Sequence, residues 1–93
     1  MSTVRVPRKN VTPAEVVAVL GRRLGPQYQV KAGGGRAVMV RKSPLAYATI
    51  SIADRPGASV FKVHGGGFLR VTGFGTARQV ADALRRSPEF RSL

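Results

Sequence analysis

Apolar and polar residues alternate one by one through residues 28–72, in short runs broken by glycine and proline. A period of two predicts half-buried β-strands, each with an apolar and a polar face. On either side of this region the apolar spacing lengthens to that of a helix. Val16, Val17, Leu20 and Leu24 form one stripe before it, and Ala77, Val80, Ala81 and Leu84 form another after it. The alternating region has one apolar face to cover, and these helices are the only elements able to cover it.

Boundary residues sharpen the helices. Thr12, Pro13 and Glu15 sit at the N-cap, N1 and N3 of a helix over 13–24, a capping box with proline where its missing N–H costs nothing. Val11 and Val16 stand at the staple positions N′ and N4. Gly21 weakens the helix and leaves room for close packing on the sheet. Arg22 and Arg23 suit the negative end of the dipole, Gly25 is the C′ residue and Pro26 stops the helix. The second helix is expected over 77–86, with Thr76 as N-cap, Gln79 at N3, an Asp82–Arg86 pair one turn apart, and Ser87-Pro88 as its end. Phe90 is expected to fold back onto the core edge.

Within the alternating region, Tyr28 and Val30 oppose Gln29 and Lys31. Gly33-Gly34-Gly35 reads as a hairpin turn that sets Val30 opposite Val38 and Gln29 opposite Met39. Val38 and Val40 then face in, with Met39 and Arg41 out. After a turn at Ser43-Pro44-Leu45, Ala48, Ile50 and Ile52 face in while Tyr47, Thr49 and Ser51 face out. Asp54-Arg55-Pro56-Gly57 is a turn. Phe61 and Val63 face in; Val60, Lys62 and His64 face out. Gly65-Gly66-Gly67 is either a hairpin or a bulge in one long strand, and the shared parity of Val63 and Leu69 favours the hairpin. Beyond it Leu69 and Val71 face in, leaving Phe68, Arg70 and Thr72 out.

The expected fold is α+β in two layers: an antiparallel four- to five-stranded sheet with two helices packed on one face. Residues 1–10 are a basic N-terminal arm or, through Thr3-Val4-Arg5-Val6, an edge strand limited by Pro7. Residues 11–90 form a single domain and 91–93 a fraying tail. This order of elements resembles that of TATA-box-binding-like and helix-grip folds over most of the chain. The resemblance carries no shared motif and implies architecture alone.

Charge changes the picture most. Sixteen Lys and Arg stand against four Asp and Glu, a net charge of +12. Arginine outnumbers lysine 12 to 4, which GC-rich codons explain; they do not explain the shortage of acids. Such an excess favours an anionic partner, nucleic acid being the commonest. Cysteine is absent, so disulfides and thiolate metal sites are excluded. Residues 1–10 carry no apolar signal-peptide stretch, and no apolar run approaches the ~20 residues of a membrane span. A cytoplasmic location is expected, with no membrane partner.

No catalytic pattern emerges. The single histidine, His64, stands beside a glycine run and has no cysteine to pair with. Beside Lys62 and Arg70 it lacks the placed partners that proton transfer needs. The four acids fall in a cap, a turn, a helix and the tail, so neither a carboxylate pair nor a three-ligand metal site forms. Gly73-Phe74-Gly75 leads into the second helix as a phosphate loop does, but Arg78 replaces the third glycine of a dinucleotide fingerprint and the Lys-Ser/Thr ending of a P-loop is missing. No enzyme activity, metal or cofactor is expected. The outward sheet face gathers Lys31, Arg41, Tyr47, Lys62, His64, Phe68 and Arg70, cations for phosphates interleaved with rings that stack on bases. That mixture points to binding of DNA or RNA with low sequence specificity. The alternative is a subunit that meets an acidic protein partner, with Met39, Val60 and Phe68 as a docking patch.

Overall fold

The computed structural model describes residues 2–44, 46–66 and 70–90. Its elements run β1 (Ser2–Val6), α1 (Pro13–Arg23), β2 (Gln29–Ala32), β3 (Ala37–Ser43), β4 (Ala46–Arg55), β5 (Ala58–Gly66), α2 (Arg70–Arg86) and a short 3-10 turn, Pro88–Phe90. The sheet is antiparallel in the order β1-β5-β4-β3-β2. Both helices pack on one face, α2 over β5, β4 and β1, and α1 over β2 and β3. The fold is α+β in two layers. The core between the layers is built from Val4, Val38, Val40, Ile50, Phe61 and Val63 of the sheet and from Val16, Leu20, Val80 and Leu84 of the helices. Among the described residues no helix is long and apolar enough to cross a membrane.

Helix α1 starts where its cap chemistry places it. Thr12 is extended, and its hydroxyl accepts the Glu15 N–H at 3.2 Å. The Glu15 carboxylate is engaged elsewhere, in an ion pair with Arg8 at 2.6 Å. Val11 and Val16 are both fully buried, as a staple requires. The buried stripe is Val16, Val19 and Leu20, with Val17 and Leu24 only partly covered, so the stripe is rotated towards Val19. Gly21 is exposed, with open space where a Cβ would point, and has no packing role.

The β2–β3 register differs from expectation by two residues: Val30 pairs with Val40 and Gln29 with Arg41. Gly33 extends the β2 arm, donating its N–H to the Ala37 carbonyl at 2.9 Å, and Arg36 joins the turn. Arg36 is held there on three sides. Its guanidinium donates to the Val11 carbonyl and pairs with Asp54, while its own carbonyl accepts from Ile52 N–H. A shift of two preserves side-chain parity, so every residue keeps its face. The β4–β5 turn is tighter than expected. Only Pro56 and Gly57 lie between the strands, Gly57 with φ 71°, and Asp54 and Arg55 belong to β4.

The largest departure follows β5. The strand runs through Gly65 to Gly66, and the chain is helical from Arg70. Residues 70–72 are therefore helix and not the expected strand, Gly65 and Gly66 continue β5, and Gly67, on which the expected hairpin or bulge depends, lies outside the described residues. Phe68 and Leu69 lie outside the described residues, as do Leu45 and 91–93. The fifth strand is β1 instead, paired along its length with β5. Thr76 is buried inside α2 and is not its N-cap. Glycines at 73 and 75 cost roughly 1 kcal/mol each relative to alanine. Packing of Ala77, Val80, Ala81 and Leu84 against the sheet stabilises the helix and offsets that cost. Asp82 pairs with Arg85, not Arg86, at 3.2 Å.

The C-terminal segment is latched. Phe90 is fully buried and meets Phe61 edge to face, centroids 5.3 Å apart. Beside it Glu89 bridges Arg23 at 2.8 Å and Arg22 at 2.9 Å, tying the segment to the end of α1. Hydrogen bonds from Arg23 and then Arg22 hold its carboxyl at about 2, against an ordinary 4.5. A carboxyl depressed in the folded state adds stability above its unfolded pKa and loses it as pH falls through the folded one. Acid titration of the folded chain is expected to show a stability loss between about pH 4.5 and 2 that shrinks in Glu89→Gln, read by denaturant midpoints at each pH.

Candidate functional site

The sheet face away from the helices is set by pairing register. Four rows cross it. Arg5, Val60 and Ala53 make the first; Thr3, Lys62, Ser51 and Ala37 the second; His64, Thr49, Met39 and Lys31 the third; Tyr47, Arg41 and Gln29, with Gly66, the fourth. Arg55 stands beyond the first row at the end of β4. Arg5, Lys31, Arg41, Arg55, Lys62 and His64 are all exposed. No aspartate or glutamate occupies an outward position in any strand.

The cations are not spread evenly. Arg5 and Lys62 are neighbours near one corner, and Lys31 and Arg41 near the opposite one. With strands ~4.8 Å apart and alternate residues ~6.8 Å apart, each pair spans roughly 8 Å and the two pairs lie about 20 Å from each other. Between them runs β4, the central strand, whose outward residues Tyr47, Thr49 and Ser51 carry three hydroxyls in succession. Around Met39, which is 36 % exposed, the face dips into a hollow of about 170 Å³ lined by Gln29, Lys31, Ala32, Gly33 and Arg41.

The structure brings together Lys31, Arg41, Tyr47, Lys62 and His64 of the residues expected on this face. It removes Arg70, which opens α2 and so lies in no strand. Phe68 lies outside the described residues. It adds Arg5, through the pairing of β1, and Arg55, through the tight turn. Val60 points outward yet is 9 % exposed between its neighbours Arg5 and Ala53, so it offers no docking surface, whereas Met39 is exposed.

The acids are placed elsewhere. Each of the four is held by arginine: Glu15 by Arg8, Asp54 by Arg36, Asp82 by Arg85, and Glu89 by Arg22 and Arg23. Among the described residues no ion pair involves Arg5, Lys31, Arg41, Arg55 or Lys62, although the Arg55 guanidinium donates to the Asp54 carbonyl at 2.8 Å. The outward face therefore keeps its positive potential undiluted by local acids.

The helix side has different relief. Open grooves of about 430 and 540 Å³ share Gln27 and Gln79 in their walls. The Tyr28 hydroxyl donates to Gln79 Oε1, and Lys42 stands 5.9 Å from the Tyr28 ring centroid. Gly73-Phe74-Gly75 lies inside α2, so no helix N-terminus is available there for an anion. No family model matches the chain, and neither the curated proteins nor the solved structures contain a match.

Proposed function

We propose that the chain is a non-enzymatic binding domain for nucleic acid that docks through the outward sheet face. The observation carrying this reading is the acid-free sheet face: Arg5, Lys31, Arg41, Arg55 and Lys62 are exposed there and in no ion pair among the described residues, while every acid is tied to an arginine elsewhere. Phosphate contacts supply affinity by releasing counterions and do not read sequence. Between Tyr47 and Ala53 the central strand presents Tyr47, Thr49, Ser51 and Ala53 outward, without the Arg, Asn or Gln forks that read base edges, which supports weak sequence specificity. A chain without cysteine suits a reducing compartment such as the cytoplasm.

Titration of the labelled chain with DNA and RNA at 50 and 200 mM salt, followed by amide chemical shifts, tests the reading. Binding is expected to shift resonances of β1, β5, β4, β3 and β2 and to weaken about 100-fold at the higher salt if four phosphates are neutralised. Shifts confined to the helices move the site; affinity indifferent to salt removes nucleic acid as the partner. The exposed Met39 between Lys31 and Arg41 favours an acidic protein as the second reading. A nuclease-resistant complex with such a protein supports that reading instead.

A further inference from the structure

We propose that the preferred polymer is an RNA duplex of A-form geometry, with the β4 hydroxyl strip lying along its minor groove and the two cationic corners on the flanking backbones. This deepens the nucleic-acid reading and rests on it. The distribution of side chains across the face separates duplex from single strand. Sequence-tolerant binding of a single strand uses aromatic platforms on which successive bases stack. The described outward strand positions hold two rings, the half-buried Tyr47 and the exposed imidazole of His64 on the adjacent strand, too few for a platform on which successive bases stack. A single backbone threaded from Arg5 and Lys62 to Lys31 and Arg41 must also cross the Thr49–Ser51 strip, where no Lys or Arg meets its phosphates. Two backbones on either side of a groove meet both pairs at once and leave the neutral strip facing the groove floor.

Groove depth then separates RNA from DNA. The grooves of B-form DNA are about 7.5 and 8.5 Å deep, beyond the reach of serine and threonine on a flat sheet. The A-form minor groove is wide and shallow and displays 2′-hydroxyls. A 2′-hydroxyl donates and accepts, as do the hydroxyls of Tyr47, Thr49 and Ser51. None of these three side chains has a hydrogen-bond partner in the chain among the described residues, so each is available to an incoming group.

The test compares an RNA duplex, a DNA duplex of the same sequence and one isolated RNA strand, by fluorescence anisotropy at one moderate salt concentration. The RNA duplex is expected to bind about 10-fold more tightly than either other probe, the yield of a few added hydrogen bonds. Ser51→Ala, at an exposed position, and the isosteric Tyr47→Phe are each expected to lower the RNA-to-DNA affinity ratio about 3-fold, with circular dichroism confirming the fold. An isolated strand bound as tightly as the duplex overturns the inference and leaves the nucleic-acid reading standing. Equal affinity for the two duplexes, or a ratio unmoved by both variants, overturns the role of the hydroxyl strip. No binding of any probe, there or in a repeat at 50 mM salt, overturns both.

Discussion

Replacing Arg5, Lys31, Arg41 and Lys62 together by glutamine is expected to weaken nucleic-acid binding by two orders of magnitude or more at low salt. It should also flatten the salt dependence. Each phosphate neutralised on a duplex contributes about −0.9 to the slope of log K against log salt, so four lost contacts remove roughly 3.6 of it. All four residues are exposed strand residues outside every ion pair among the described residues, so the substitutions break no salt bridge. The matched control removes the same charge from the helices: Arg22, Arg78, Arg85 and Arg86, all exposed. Arg23 still holds Glu89 in that variant, while the Arg22–Glu89 and Arg85–Asp82 pairs are lost, both surface ion pairs that contribute little to stability. Net charge acts over a Debye length of ~10 Å at 0.1 M, so the control should lose only the part of affinity that comes from long-range steering, and its slope should stay near that of the parent. Filter binding or anisotropy across a salt series separates the two. A control that loses as much slope as the sheet variant places the contacts on the helices and ends the sheet-face reading.

The faces of this sheet are legible in the sequence because they depend only on parity. Val38, Val40, Ile50, Ile52, Phe61 and Val63 alternate with Met39, Arg41, Thr49, Ser51 and Lys62, and neither a register shift of two nor a shorter turn alters which side each takes. That is why Lys31 and Arg41 share a face even though the β2–β3 pairing differs from the expected one. Hidden features have physical reasons. The strand identity of β1 rests on pairing with β5, Val4 against Phe61, and a basic arm has the same local composition as that strand. Arg55 reads as a turn residue because Asp54-Arg55-Pro56-Gly57 is rich in turn formers, while only Pro56 and Gly57 are needed to reverse the chain. The start of α2 is obscured by glycines that lack any period, and its length is set by contacts with the sheet. The segregation of acids is also non-local. Glu89 meets Arg22 and Arg23 across 67 and 66 residues, and Arg36 reaches Asp54 across 18, so sequence counts the acids without showing that they are spent.

Phe90→Ala is expected to be the most damaging single substitution outside the sheet, costing about 3–5 kcal/mol of folding stability. The side chain is fully buried, four residues beyond the end of α2, and packs its ring at 70° against Phe61 of the central core. Its removal deletes a large apolar volume and an edge-to-face contact that adds roughly 0.5–1.5 kcal/mol beyond burial. The cavity cannot collapse freely, because Ser87 is held by its hydroxyl on the Ala83 carbonyl at 2.6 Å and Glu89 is held on two arginines. Domains of this size have about 5–15 kcal/mol in total, so the variant sits close to the unfolding threshold. Its thermal midpoint should fall by about 12 °C or more, given 4–8 °C per kcal/mol at 60–100 residues. Phe90→Leu, which keeps much of the volume and loses the ring contact, should lie between the variant and the parent. Urea unfolding with unchanged m-values gives the comparison. A loss below about 1 kcal/mol for Phe90→Ala shows that the C-terminal segment docks on a core already complete without it, and the Glu89 bridge then secures an appendage and not part of the cooperative unit.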